Sequence, residues 1–145
     1  VPNVIFETGA AARLGAIVSQ RMKRPVVVTD RGVVNAGLIN AALASLKAEG
    51  LDFHLFDGIE ADPPARVVRA SVEAARAHKA DGVIGFGGGS SMDTAKIIAV
   101  LLNSSQSLEE IYGTGNIKGW RAPLVLVPTT AGTGSEVTDI AVVTT

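Results

Sequence analysis

The spacing of apolar residues changes repeatedly along the chain, and each change marks an element. Val26-Val27-Val28-Thr29-Asp30 follows Pro25 as a β-branched run and predicts a buried strand. Over 35–49 the apolar residues Leu38, Ile39, Ala42, Leu43 and Leu46 recur at helical spacing, and Gly50 follows as a stop. Residues 52–57 predict a second strand, closed by Asp57-Gly58 and later Asp62-Pro63-Pro64. A second clear helix covers 65–79, with Val68, Val72 and Ala75 on one face. Residues 82–86 form a third strand that runs into Gly87-Gly88-Gly89. The helix over 91–102 is apolar on most sides, which predicts burial. A fourth strand, 124–127, ends at Pro128. At the ends, 3–6 fits an edge strand, 10–22 a helix, and 140–145 a last strand.

This β-α-β-α-β-α-β order with short loops predicts an α/β fold. Its centre is a doubly wound parallel sheet with helices on both faces, ending in a truncated β-hairpin. No linker, repeat or low-complexity tract divides it, so residues 1–145 read as one domain. In such sheets ligands bind beyond the carboxyl ends of the strands. Three segments fall there: Asp30, residues 87–90 and residues 129–138.

The chain has 145 residues, enough for a core without disulfide or metal staples. Hydrophobic residues make up 47% and charged residues 19%, which places it among globular chains. Thirteen basic against fourteen acidic residues leave a net charge of −1, so neither nucleic acid nor an anionic membrane is an expected partner. Cysteine is absent, which excludes disulfides, Cys-ligated zinc and iron–sulfur clusters and permits the cytoplasm, the expected location. The longest apolar stretches, such as 97–102, fall well short of a membrane span. Val1-Pro2-Asn3 has neither the basic nor the apolar region of a signal peptide and no initiator Met, and the last strand ends without a turn. Both ends lead us to expect a trimmed chain or, as the last strand favours, part of something longer.

Gly87-Gly88-Gly89-Ser90-Ser91-Met92-Asp93 joins a strand to a helix. Consecutive glycines let backbone approach a ligand, and the helix start directs free N–H groups and a positive dipole end at it. That combination suits a phosphate or pyrophosphate; a tight turn with an ordinary cap is the alternative. Ser90 and Asp93 have capping-box spacing. A Walker lysine is missing, and Gly85-x-Gly87-x-x-Ser90 departs from the usual dinucleotide fingerprint. Asp30 could accept hydrogen bonds from a ribose diol and repel a 2′-phosphate, favouring NAD over NADP; it could equally cap the next turn. The hydroxyl- and glycine-rich segment from Pro128 to Thr138 suits nucleotide contacts.

Two of these segments resemble one family. Gly87-Gly88-Gly89-Ser90-Ser91-Met92-Asp93-Thr94-Ala95-Lys96 is similar to the GGGSxxDxAK signature of the iron-containing (group III) alcohol dehydrogenases. Pro128-Thr129-Thr130-Ala131-Gly132-Thr133-Gly134-Ser135-Glu136-Val137-Thr138 is similar to that family's PTTxGTGSEVT segment. Val28-Thr29-Asp30 fits its strand-end acid, and Asp62-Pro63 falls where many members have Asn-Pro. The resemblance spans the chain in order and implies the Rossmann-like NAD-binding part of an NAD-dependent, metal-dependent alcohol dehydrogenase. Such an enzyme passes hydride between an alcohol or aldehyde and NAD(H), with Fe²⁺ or Zn²⁺ as Lewis acid.

Carried over, Asp30 would bind the adenosine ribose, and Gly88, Gly89 and Ser90 the pyrophosphate. Asp93 would lie near the nicotinamide side, Thr129 and Thr130 at the adenine end, and Thr133, Thr138 and Ile140 along the remaining cofactor path. Asp62 in place of Asn weakens a cofactor role there. The family's Asp and three His metal ligands, in a helical domain, would lie beyond Thr145. No catalytic or metal-binding residue is therefore expected in this chain, and His54 and His78 read as structural. We expect no dehydrogenase activity from the isolated chain even with added Fe²⁺. We also expect self-association, from an uncovered face and an unpaired edge at the truncated strand. The alternatives are the nucleotide-binding half of a dehydroquinate-synthase-like lyase and a nucleotide-binding fragment without catalysis.

Overall fold

A computed structural model describes residues 3–8, 10–102, 121–129 and 139–144. Six strands form one sheet: β1 (Asn3–Thr8), β2 (Pro25–Val28), β3 (His54–Phe56), β4 (Gly82–Gly87), β5 (Leu124–Pro128) and β6 (Asp139–Thr144). Their order is β1-β6-β5-β4-β2-β3. The four strands β3-β2-β4-β5 are parallel, and β6 and β1 are added antiparallel. The sheet is thus mixed rather than wholly parallel.

The run Pro25-Val26-Val27-Val28 is buried throughout because both of its faces are covered. Val26 and Val28 pack in one core with α4 (Ala65–Ala77) and α5 (Gly89–Leu101). Val27 packs on the opposite side with α1 (Leu14–Val18) and α3 (Asn40–Ala48). Pro25 opens its strand, where a missing N–H is tolerated. The Asp81 carboxylate accepts hydrogen bonds from the amides of Lys23 (2.7 Å) and Arg24 (2.8 Å), which aligns the entrances of β2 and β4.

The chain leaves β2 for β3 on one side, then returns across β2 to β4 on the other. The connection after β2, α2 (Arg31–Asn35) and α3, covers one face, and the helix after β4, α5, covers the other. The loops after β2 and β4 therefore diverge, opening a crevice between them at the carboxyl edge.

Several boundaries differ from expectation. The helix expected over 35–49 is confined to α3, and the separate short α2 precedes it, because Gly37 at φ +74° turns the chain between the two. The helix expected over 10–22 is a 3₁₀ turn, Ala10–Arg13, followed by the five-residue α1. The strand expected over 52–57 shortens to β3, and α5 begins at Gly89 rather than Ser91. The terminal strand is not an unpaired edge: β6 lies between β1 and β5 and pairs with both. That removes one of the two reasons for expecting self-association.

Gly85 sets how closely α5 approaches the sheet. A Cβ there would lie 2.7 Å from Ala95 Cβ and 3.1 Å from Leu126 Cδ2. With hydrogen at Gly85 and methyl at Ala95, helix and strand meet almost backbone to backbone, and the start of α5 comes down onto the crevice.

Candidate nucleotide-binding site

The crevice is a cleft of about 440 Å³ lined by Asp30, Gly32, Glu60 and Ala61 on one side and residues 88–91 on the other. Asp30 lies between β2 and α2 and does two things. Its Oδ1 accepts a hydrogen bond from the amide of Val33 at 2.8 Å, capping α2. Its Oδ2 lies 3.3 Å from where a Cβ on Gly87 would be. Capping and ligand contact are therefore compatible readings of this residue, one for each oxygen.

Gly87 has φ +143°, a conformation that side-chain-bearing residues rarely adopt. A side chain there would also meet Ser91 Oγ at 3.2 Å. Helix α5 opens with Gly88 as its N-cap, a residue with no side chain to close that end. The capping box expected of Ser90 and Asp93 is not formed, because the helix starts two residues early and places Ser90 inside the first turn. Asp93 instead faces solvent and pairs weakly with Lys96 at 3.8 Å. The first amide to find a helical acceptor is that of Met92, which donates to Gly88 O at 3.1 Å. The amides of Gly89, Ser90 and Ser91 precede it and have no carbonyl one turn back. They lie at the positive end of a thirteen-residue helix, on the wall of the cleft.

Ser90 Oγ accepts a hydrogen bond from the amide of Asp62 at 3.3 Å. Asp62 has φ +46°. This ties the turn after β3 to the glycine loop, and with it Ile59, Glu60 and Ala61 enter the cleft wall. Sequence reasoning missed these three, since a short loop between strand and helix carries no motif. It also missed Ser91, which the signature counts as a variable position. A second hollow of about 700 Å³ continues from the cleft past Arg31, Ile59 and Glu60 to Phe56 and Arg66.

On the far side, the amide of Thr129 donates to Gly87 O at 2.8 Å, which holds the end of β5 against the loop. Thr129 Oγ1 is buried without a partner among the described residues. Ile140 is in β6; counting on from the Leu126–Val143 pair sets it opposite Thr129, at the same sheet edge. Thr130, Thr133 and Thr138 lie outside the described residues. The fold thus brings Asp30, Gly88, Gly89, Ser90, Thr129 and Ile140 to one edge, and leaves Asp93 exposed one turn into α5.

His54 and His78 meet each other, with ring centroids 5.7 Å apart. His78 caps the end of α4, and its Nε2 lies 2.7 Å from Asp52 O. Both are at the amino-terminal side of the sheet, near the Arg24–Asp52 ion pair and away from the cleft. Among the described residues no group of three or more His, Cys, Asp or Glu could hold a metal ion, and no helix is long and apolar enough to cross a membrane.

A doubly wound sheet with a glycine-lined cleft at its switch point defines a Rossmann-like α/β architecture. The comparisons agree in detail. Residues 2–145 match the family model described as iron-containing alcohol dehydrogenase. The chain is 38% identical over 149 residues to the choline dehydrogenase of Bacillus subtilis, covering 99% of this chain and 37% of that protein. It is 39% identical over 133 residues to long-chain-alcohol dehydrogenase 1 of Geobacillus thermodenitrificans, covering 90% and 32%. An iron-containing alcohol dehydrogenase structure from Thermotoga maritima superposes with a TM-score of 0.77 at 38% identity, covering 92% of this chain and 38% of that one. The sulfoacetaldehyde reductase of Bifidobacterium kashiwanohense, solved in complex with NAD⁺, superposes with a TM-score of 0.74 at 30% identity, covering 91% and 35%. The chain belongs to the iron-containing alcohol dehydrogenase family. It spans about a third of the length of these relatives.

Proposed function

We propose that this chain is the NAD(H)-binding part of an alcohol dehydrogenase and that the cleft between β2 and β4 holds the adenosine diphosphate portion of the cofactor. The observation that carries the reading is the division of labour at Asp30. One carboxylate oxygen is committed to Val33 N, and the other lies by Gly87, next to a helix start whose N-cap is a glycine. A ribose diol donates to carboxylates, and a pyrophosphate accepts from helix amides, so the two walls suit the two adjacent parts of one ligand.

In this reading Gly88, Gly89 and Ser90 bind the pyrophosphate through backbone, and Asp30 holds the ribose. Thr129, Thr130, Thr133, Thr138 and Ile140 line the rest of the cofactor path, with Asp93 toward the nicotinamide. The bound nicotinamide supplies or accepts the hydride. The residues of this chain bind it, orient it and select it over its 2′-phosphorylated form. The whole enzyme acts on an alcohol or aldehyde, as the names of its relatives suggest, and its metal is assigned to no residue described here. A related bound NAD⁺ complex supports the choice of ligand.

Paired NADH and NADPH titrations followed by cofactor fluorescence test the reading. A carboxylate within a few ångströms of a 2′-phosphate costs about 1.5–3 kcal/mol in a half-solvated site, so NADH should bind roughly ten- to a hundredfold more tightly. Asp30→Gly should abolish the preference, while the lost cap costs the fold only a few tenths of a kcal/mol, Gly being a tolerable N-cap. Absence of NADH binding, or a preference untouched by Asp30→Gly, would refute it.

A further inference from the structure

The chain holds two Asp-Gly pairs, Asp57-Gly58 and Asp81-Gly82. An aspartate before a glycine can close a ring on its own backbone. The next amide nitrogen lies within reach of the side-chain carbonyl carbon, and glycine puts no Cβ in the way. The fold treats the two pairs differently. The Asp81 carboxylate is held by the amides of Lys23 at 2.7 Å and Arg24 at 2.8 Å, and Gly82 is buried as the first residue of β4. Asp57 and Gly58 follow β3 and are half-buried. Among the described residues the Asp57 carboxylate has no hydrogen-bonding or ionic partner, and the Gly58 amide has no acceptor. Both residues line the hollow of about 700 Å³ beside the cleft, so water reaches them.

The chain is pinned on either side of this pair. The amide of Thr29 donates to Phe56 O at 2.9 Å, and the amide of Ile59 donates to Thr29 O at 3.3 Å. Thr29 precedes Asp30, and Ile59 and Glu60 form part of the cleft wall. We propose that Asp57 is a site of spontaneous modification, converted through a succinimide to isoaspartate, and that the conversion loosens the cleft. The Gly58 nitrogen attacks Asp57 Cγ and forms a new N–Cγ bond. The Cγ–OH bond breaks, and the hydroxyl leaves with the Gly58 amide proton as one water. A water then adds to the ring carbonyl derived from the Asp57 backbone, and the original peptide C–N bond breaks. The chain now runs through Cγ, with a free carboxylate on Cα and one extra carbon in the backbone. No oxidant or other reagent is consumed. The extra carbon falls between two hydrogen bonds to the same residue, Thr29, and the two cannot both keep their geometry. Ile59 and Glu60 therefore shift at the cleft. The modification itself is independent of any ligand; its effect on NADH binding rests on the proposed function.

The test is ageing of the full chain in warm, mildly acidic buffer. Isoaspartate is detected by enzymatic methylation of isoaspartyl carboxylates and located by fragmentation mass spectrometry of the peptides that hold residues 57 and 81. In the folded chain Asp57 should react at least about tenfold faster than Asp81, which must first give up two hydrogen bonds. In urea that lead should vanish. Gly58→Ala should suppress the modification and leave the fold intact. Its Cβ would meet Phe56 Cε1 at 3.4 Å, an ordinary contact, and the φ of Gly58 is outside the left-handed region. Asp57→Glu keeps the charge but can close only a larger ring, and serves as a second block. Aged wild type should bind NADH about two- to tenfold more weakly than fresh protein, while both variants should keep their affinity on ageing. No isoaspartate at position 57, or equal rates at Asp57 and Asp81 in the folded chain, would overturn the inference. Isoaspartate at position 57 with unchanged NADH affinity would overturn its effect on the cleft. If fresh wild type binds no NADH, the proposed function fails, and the isoaspartate map still decides the modification.

Discussion

Gly85→Ala probes whether the approach of α5 to the sheet builds the site. The added Cβ would lie 2.7 Å from Ala95 Cβ, about 1 Å short of an ordinary carbon–carbon contact. Neither atom can rotate away, because both are attached to backbone. The helix must retreat, and its far end is tied: Arg76 Nη2 donates to Leu101 O at 2.8 Å, and the amide of Ala122 donates to Ala99 O at 2.9 Å. The retreat therefore falls on the amino-terminal end, at residues 89–91. Overpacking of this kind costs about 2–3 kcal/mol, which for a chain of this size lowers the midpoint by roughly 5–12 °C. Lifting the amides by about 1 Å weakens one or two hydrogen bonds to the pyrophosphate, so NADH affinity should fall about three- to tenfold. Calorimetry and NADH titration read the two effects. Adding Ala95→Gly removes the clash and should restore affinity, with a residual stability loss of about 1 kcal/mol for glycine inside a helix. A Gly85→Ala protein with unchanged midpoint and affinity would refute the reasoning, as would a double variant no better than the single.

Two further substitutions test the scaffold. Phe86→Ala empties a fully buried position next to Gly87, and urea unfolding should show a loss of about 3–5 kcal/mol. Ser45→Ala removes the oxygen that accepts a hydrogen bond from the amide of Gly15 at 2.7 Å, where α1 meets α3. Calorimetry should show a loss of about 1–2 kcal/mol with unchanged NADH affinity, because this contact is on the lower part of the opposite face.

The alternation of strand and helix was legible because buried parallel strands such as Val26-Val27-Val28 and amphipathic helices such as 65–77 have distinct periods. The glycine loop was legible as a strand-to-helix junction and a candidate site because three consecutive glycines stand between a strand pattern and a helix pattern, and the fold sets residues 88–91 on the cleft wall. Three things were hidden. Gly37 inside an apolar helical pattern did not reveal that it would take φ +74° and hold back the start of the helix to Asn40. The antiparallel flank of the sheet depends on pairing between chain ends more than a hundred residues apart, which periodicity does not encode. The capping pattern of Ser90 and Asp93 was misleading because Gly88 supplies an extended N-cap conformation without a side chain, so the helix begins earlier. That shift of two residues brings Ser91 under Gly87, and no motif signals it.

The central claim is that the crevice between β2 and β4 receives the adenosine diphosphate half of the cofactor. Mapping amide chemical shifts in nitrogen-15-labelled protein during titration with ADP-ribose tests it most directly. The account predicts that the largest changes fall on Gly88, Gly89, Ser90 and Ser91 and on Val33, whose amide reports on Asp30, while residues around His54 and His78 stay still. Saturable binding with changes confined elsewhere, or no change at residues 88–91, would contradict it.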